Sequence, residues 1–445
     1  MRIGLIAMSG VRACDAELLR LGLTLPGFLE RSKTIASLPS LGLLTLAGMT
    51  GSEHEVRYIE MPEFTAATPA PEGLDLAAIS TYSAQIFEAY ALADRYRDLG
   101  IPSVIGGPHA TALPGEAAGH CSSVVIGEGE ACWNDVVRDA AAGRLRPFYS
   151  SRDTSFDLAA APMPAFELLD PARYNRITVQ TSRGCPHRCE FCASSVVLTG
   201  RYKQKPTEKV LAEIDKIQSI WERPFLEFAD DNTFVDRNYW KKLLTQLEGR
   251  QLRWFTETDL SVSHDSDLLD LMRRTGCAQV LIGFESPVED RLRGIELRSD
   301  WKRKQWPIYG EAIRRIQDHG IAVNGCFVVG LDGDGPEVFD RVFSFVEATG
   351  LYEVQVTVLT AFPGAPLYER MKREDRIIED RRWDKCTLFD VNFRPDRMSA
   401  EQLASGFREL VVRLYSEEFT SRRRTSFVKR YRQLTRERQG IGHEY

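Results

Sequence analysis

Three cysteines, Cys185, Cys189 and Cys192, stand in the run TSRGCPHRCEFCASS, separated by three and then two residues. Closely spaced thiols are soft donors for iron or zinc. A [4Fe–4S] cluster takes one ligand per iron, so this run supplies three and leaves one iron for something that is not protein. That arrangement suits a cluster which must hold a small molecule and pass it an electron. Two other readings use the same residues. Structural zinc wants four protein ligands in a closed tetrahedron; His187 lies inside the triplet, but zinc leaves the surrounding Gly, Arg and Phe pattern unexplained. The thiols could also be incidental buried cysteines.

Other chemistry-bearing residues sit where strands are expected to end. Asp230 and Asp231 follow the apolar run 225–229, Glu257 follows 252–256, and Glu285-Ser286 follow 280–284. Paired carboxylates at a strand end hold an ammonium, a hydroxyl or a metal, and no histidine accompanies these to favour the metal. Ser80-Thr81-Tyr82-Ser83, Gly106-Gly107-Pro108-His109 and Gly127-Glu128-Gly129-Glu130 follow three further apolar runs. Small residues there let backbone approach a flat or bulky ligand; the bland alternative is tight turns.

The elements that must position these groups read as α/β. In residues 1–150, expected strands at 3–8, 55–60, 74–80, 102–105 and 122–126 alternate with helices at 40–49 and 86–99 and one ending near 140. Gly100 is placed to end the second helix as a C′ glycine. Such alternation implies a parallel doubly wound sheet, with ligands at the carboxyl ends of its strands. Residues 151–173 contain APMPAFELLDPARY and read as a linker. In residues 174–364, six expected strands (174–181, 225–229, 252–256, 280–284, 323–329, 352–359) alternate with helices that include 206–220 and 310–319. The cysteine loop follows the first of them directly, as catalytic loops do at the top of a β/α barrel. Residues 365–445 form a smaller, mainly helical unit with Trp383, Phe389, Phe393 and Met398 as apolar material. Ser399 caps an expected helix at 400–414, and the strongly basic segment 420–440 reads as a solvated terminal helix or frayed tail.

The Cys-x3-Cys-x2-Cys run resembles the radical S-adenosylmethionine (SAM) superfamily. The resemblance implies a free iron that chelates the amino and carboxylate groups of SAM, then reductive cleavage to a 5′-deoxyadenosyl radical, with Cys185, Cys189 and Cys192 as the catalytic metal ligands. Phe191 would pack against the cluster. The strings GGPHAT and VVIGEGE, ahead of that run, resemble the cobalamin-binding domain of the B12-dependent radical SAM family, and the likeness covers essentially the whole chain. The string DVNFRPDRMSAEQL is similar to the branch containing hopanoid C-methylases.

This resemblance implies a Rossmann-like cobalamin-binding domain, a partial (β/α)6 barrel and a helical C-terminal region. It places Ser80, Thr81, Tyr82, Gly106, Gly107, His109, Gly127, Glu128, Gly129 and Glu130 at cobalamin. Asp230 and Asp231 would meet the SAM amino group, Glu257 its ribose or methionine, and Glu285 and Ser286 SAM through a G-x-E-S string. Gly330, in GCFVVGLDGDG, would pass near the adenine through backbone groups. Cys326 and Cys386 read as buried thiols. Methionine synthase-like domains carry Asp-x-His-x-x-Gly after the first strand, whose His binds cobalt; here Ser9-Gly10-Val11-Arg12-Ala13 stands there. Cobalamin is therefore expected base-off, with His109 a loop or corrin contact, unless the domain is degenerate and binds none.

The implied reaction is C-methylation of an unactivated carbon, with one SAM methylating the cobalt and another supplying the radical. Non-methylating cyclisation, rearrangement or oxidation fits the same domain pair. RNA modification fits less well, because Cys14, Cys121 and Cys132 lack second-cluster spacing and the net charge is −6. A non-catalytic iron–sulfur or cobalamin protein is the non-enzyme reading.

With 445 residues, 43% hydrophobic and 27% charged, the composition is that of globular domains, two or three in number. The nine cysteines show no disulfide framework, which with an iron–sulfur site favours a reducing cytoplasm. The N-terminal apolar run is too short for a signal peptide, and no apolar run reaches the roughly 18 residues of a membrane span. Expected partners are a small-molecule, lipid or peptide substrate and a one-electron donor such as flavodoxin or ferredoxin, with no nucleic acid. The basic tail adds a possible peripheral contact with an anionic membrane.

Overall fold

The computed structural model describes residues 1–21, 38–152, 154–194 and 201–438. Its first sheet is parallel throughout. The strands are β1 (Arg2–Met8), β2 (Glu55–Met61), β3 (Leu76–Ser80), β4 (Ser103–Gly106), β5 (Ser123–Ile126) and β6 (Phe148–Ser150), in the order β2-β1-β3-β4-β5-β6. β1 is buried from Ile3 to Met8, as a central parallel strand covered on both faces must be. The order reverses between β1 and β3, which opens a crevice beyond Met8 and Ser80. Helix Leu41–Met49 runs beside that crevice, with the Ser40 hydroxyl accepting the Leu43 amide at its start. β6 was not legible in the sequence; it has three residues and no alternation to betray it.

The second sheet is a six-stranded parallel arc. Its strands are β7 (Ile177–Val179), β10 (Phe225–Phe228), β11 (Arg253–Thr258), β12 (Cys277–Glu285), β13 (Ala322–Val329) and β14 (Glu353–Val358), in the order β14-β13-β12-β11-β10-β7. Alternation along the strands sorts the two faces. Phe228, Trp254, Phe284 and Phe327 face outward and pack edge-to-face or stacked against each other and against Trp240 and Phe345 of the helical layer. Glu227, Glu257, Glu285 and Cys326 face the lumen. Cys326 is thereby corrected from a core thiol to a half-buried lumen thiol.

The expected strand 174–181 shortens to three residues. Beyond Val179, the amides of Thr181 and Ser182 bond the Asp230 carboxylate, at 2.7 and 2.9 Å, instead of a neighbouring strand. The chain then forms a two-residue antiparallel neck, β8 (Ser182–Arg183) with β9 (Lys203–Gln204), below the cysteine loop.

The C-terminal unit holds the other two together. The Trp383 indole donates to Glu116 of the first domain at 3.1 Å, Asp390 accepts the amides of Cys14 and Asp15, and Arg408 pairs with Asp15 at 2.6 Å. Leu388 and Tyr415 take the Val358 and Val356 amides on the outer edge of β14. Helix Ala400–Leu414 starts in a full capping box of Ser399 and Gln402. The basic segment is a helix, Glu417–Arg438, docked on the barrel rather than frayed. Arg422 pairs with Glu347, Arg424 with Glu353 and Arg430 with Asp318, while Phe427 meets the Tyr352 ring edge-on. Among the described residues no helix is long and apolar enough to cross a membrane. One apolar cluster runs from Ile6 of the first sheet through the barrel to Phe419.

Candidate active site

The cysteine loop is anchored at several points. Gly184 adopts φ +88°, and a Cβ there would lie 2.7 Å from the Arg201 carbonyl, so the neck admits only glycine. Its amide donates to Asp231 at 2.7 Å. On the far side the Glu190 amide bonds the Ile295 carbonyl at 2.8 Å, Leu297 bonds back to Arg188, and Glu190 pairs with Arg370. All nine cysteines are free thiols. Burial pushes the Cys185 thiol up to about 11, opposed by the His187 amide and by the Lys302 ammonium. Burial raises Cys189 too, again with Lys302 opposing. Three soft donors on one pinned loop, beside a cation that favours thiolate, fit an iron–sulfur cluster.

His187 is not turned toward such a ligand set. Its ring bonds Asp259 at 2.9 Å, approaches Glu296 at 3.3 Å and leans on Trp301. Among the described residues no three His, Cys, Asp or Glu side chains close on a single metal ion.

The two aspartates after β10 divide their work. Asp230 is buried and faces its own loop, taking the Thr181 hydroxyl besides the two amides. Burial lifts its pKa to about 6 despite those bonds. Asp231 instead accepts Gly184 and the Ser194 hydroxyl and lines the adjoining cavity. Glu257 projects into the lumen with no hydrogen-bond or ion-pair partner among the described residues. Its surface is exposed to the open lumen, yet the surrounding protein desolvates it and, with the charges of Glu227 and Asp231, pushes its pKa up to about 7. Glu227 itself is paired with Arg176 at 2.5 Å.

Glu285 sits at φ +61°, uncommon for a residue with a side chain, where the β12–β13 register shifts. Lys302 holds its carboxylate at 2.6 Å and the Gly283 carbonyl at 2.9 Å. Ser286 is buried, its hydroxyl accepting the Val288 amide. Gly330 has a packing reason of its own. Its φ is +91°, and a Cβ would strike Leu403 at 2.8 Å, while its amide is taken by Asp334.

The strand ends of the first sheet face the barrel mouth across a cleft. One cavity of about 340 Å³ is walled by Ser80, Gly106, Gly107, Gly127, Glu128, Gly129 and Glu130, with Trp133 at its depth and Gln180, Arg183 and Asp231 from the barrel. A second, about 530 Å³ and mostly apolar, is bounded by Met8, Leu41, Tyr82, Glu227, Phe362 and Leu388. A third, about 300 Å³, joins them through Gly42, Ser80 and Gln180, shares Tyr82 with the second and adds Thr81. Gly107 (φ +105°) could not carry a Cβ, which would lie 2.6 Å from the Thr81 carbonyl. Tyr82 stands out into the cleft, 61% exposed, yet the surrounding protein desolvates its phenol and raises its pKa.

One of the expected cofactor contacts, His109, is displaced from the cleft. His109 is fully buried behind the cleft, bonded to Ser83 at 3.0 Å and Glu116 at 3.2 Å and packed on Trp383. Burial lowers its pKa, opposed by Glu116. Glu128 and Glu130 line the cavity as expected, and their carboxylates pair with Arg183, that of Glu128 with Lys203 as well. Arg183 and Lys302 were not singled out from the sequence. Arg183 abuts Gly184-Cys185 and was within reach of a closer reading, whereas Lys302 meets Glu285 only through the fold.

Residues 179–346 match the Radical SAM superfamily, residues 34–137 the B12 binding domain, and residues 365–442 a domain of unknown function, DUF4070. Bacteriochlorophyllide d C-12(1)-methyltransferase of Chlorobaculum tepidum is 26% identical over 381 residues, 84% of this chain and 82% of its own. Hopanoid C-2 methylase of Rhodopseudomonas palustris is also 26% identical, over 406 residues, 89% of this chain and 73% of its own. Equal identity to both leaves the hopanoid branch undistinguished. The radical SAM methyltransferase TsrM from Kitasatospora setae, solved with cobalamin and a [4Fe–4S] cluster, shares the fold with a TM-score of 0.63 at 16% identity. The match covers 85% of this chain and 79% of TsrM.

Proposed function

We propose that this chain, a cobalamin-binding radical SAM enzyme, transfers a methyl group to an unactivated carbon of its substrate. The observation that carries the reading is the shared cleft. The carboxyl ends of the first sheet and the mouth of the barrel wall one continuous space, with the cysteine loop at its rim. When bound, the cluster supplies one electron to SAM and cobalamin carries a methyl group; the chain supplies placement and shielding.

Cys185, Cys189 and Cys192 hold the cluster. Asp231, Glu257, Glu285 and Ser286 surround the place for SAM, with Lys302 holding the Glu285 carboxylate in place. Ser80, Gly106, Gly107, Gly127 and Gly129, with Thr81 and Tyr82 of the joining cavity, form the bed for the corrin, and the apolar slot of Leu43, Leu46, Val104, Val125 and Trp133 takes its base. No histidine lines these cavities among the described residues, in keeping with base-off binding. The apolar walls Phe362 and Leu388 keep water from the reacting carbon. We place the divisions of the chain at 1–150, 151–173, 174–364 and 365–445, and the protein in the cytoplasm with a flavodoxin or ferredoxin as donor.

The test is anaerobic reconstitution with iron, sulfide and hydroxocobalamin, followed by desalting. Near-stoichiometric cobalt with a base-off spectrum, and both S-adenosylhomocysteine and 5′-deoxyadenosine among the products, are expected. A [4Fe–4S] spectrum without retained cobalt overturns the methyl-transfer reading. 5′-Deoxyadenosine without S-adenosylhomocysteine moves the assignment to non-methylating radical chemistry.

A further inference from the structure

Two cations face each other at the neck of the cysteine loop. Arg183 and Lys203 are register partners of β8 and β9, so the segment between them is the loop that carries Cys185, Cys189 and Cys192. Both reach one carboxylate of the first domain. Arg183 Nη1 lies 2.9 Å from Glu128 Oε1, and Lys203 Nζ lies 2.5 Å from Glu128 Oε2. Arg183 donates its other terminal nitrogen to Glu130 and its Nε to Gln180.

Glu128 is itself fixed. Its carboxylate accepts the Phe156 amide at 3.0 Å, and its own amide donates to the Ser151 hydroxyl at 2.6 Å. Gly127 before it, at φ +86°, would put a Cβ 2.5 Å from that hydroxyl. The turn from Gly127 to Glu130 also walls the 340 Å³ cavity, as does Arg183. The surface that a first-domain ligand would touch is thus the one that grips the neck of the cluster loop. These groups are mostly screened from solvent, with side-chain exposures of 11% for Glu128 and 16% for both Arg183 and Lys203. A shift of the turn therefore moves both cations rather than exchanging them for water.

We propose that Glu128 is a positioning residue that couples occupancy of the first-domain cleft to the geometry of the cysteine loop. The proposal rests on the reading that the cleft holds cobalamin. Coupling of this kind is reciprocal: cobalamin steadies the cluster, and the cluster steadies cobalamin.

The experiment follows iron release from the oxidised, reconstituted full chain to a ferrous chelator, with and without hydroxocobalamin. Wild type is expected to lose iron about fivefold more slowly, or better, when cobalt is bound. In Glu128→Gln with cobalt retained, that protection is expected to fall below about twofold, on the same scale. Lys203→Met breaks one grip without touching the walls of the 340 Å³ cavity, and should lose part of the protection. Steric shielding or a merely structural role for Glu128 leaves the protection ratio unchanged in both variants, and that result overturns the proposal. Cobalt bound to wild type without protection overturns it too. Wild type that retains no cobalt overturns the cofactor reading, and the coupling falls with it.

Discussion

At the scale of single residues, the sharpest contrast is between Asp230 and Asp231, adjacent in sequence and opposed in role. The sequence marked both as carboxylates at a strand end, and nothing in it tells which turns inward. Only the short β7, with the Thr181 and Ser182 amides lacking strand partners, draws Asp230 into the backbone. Asp230→Asn keeps one acceptor but sets an amide donor against those donors. It is expected to cost about 1–3 kcal/mol in chemical denaturation, with lower iron retention. Cys185→Ala should end 5′-deoxyadenosine formation; a variant that still makes it contradicts the cluster assignment. Glu257 gives a pH prediction. Its folded pKa, about 7, is raised above the usual value near 4.5. The folded state therefore binds more protons between those values, and stability falls as pH rises through that window. Between pH 5 and pH 8 the cofactor-free protein should lose melting temperature, and Glu257→Gln should lose less. Asp230 and Asp334, raised by burial to about 6 and about 7, contribute to the part that remains, as do Glu213, Glu227 and Asp390, which burial also raises. Equal losses in the two proteins would remove Glu257 from this account.

The strands and helices were more legible than their ends. β1, β3 and β5 are short apolar runs closed by small residues, and the helix at Ile86–Asp98 ends on Gly100 (φ +71°), as its periodicity implies. β6, β8 and β9 were missed because two or three residues carry no period, and their pairing is decided by partners far away in the chain. The docking of helix Glu417–Arg438 was hidden for a related reason. Its arginines read as a basic tail until Glu347, Glu353 and Asp318 are brought opposite them. Two substitutions test elements rather than sites. Gly184→Ala forces a methyl group against the Arg201 carbonyl at the neck and should halve iron incorporation or worse while the far-ultraviolet circular dichroism stays unchanged. Ser399→Ala removes the cap of helix Ala400–Leu414 and should lower stability by about 1 kcal/mol in a denaturant titration.

The whole molecule is three units sharing one apolar cluster, with a second cluster on the other face of the first sheet. The apolar cluster from Ile6 to Phe419 passes through all of them, and Trp383, Asp390 and Arg408 tie the third to the first. A single cooperative transition in calorimetry is expected, where independent domains would give resolved peaks. The architecture was readable from the order of motifs along the chain. The closeness of the units was not, because it depends on pairs such as Trp383 with Glu116 that lie 267 positions apart. The cleft has one more consequence. Ser80, Tyr82 and Gln180 line the joining cavity and the larger apolar one alike, so a corrinoid resting there stands across the doorway to the lumen. Arrival then has an order. Molecules bound in the lumen before the corrinoid settles are held behind it, and labelled SAM should wash out of cobalt-loaded protein more slowly than out of protein carrying the cluster alone.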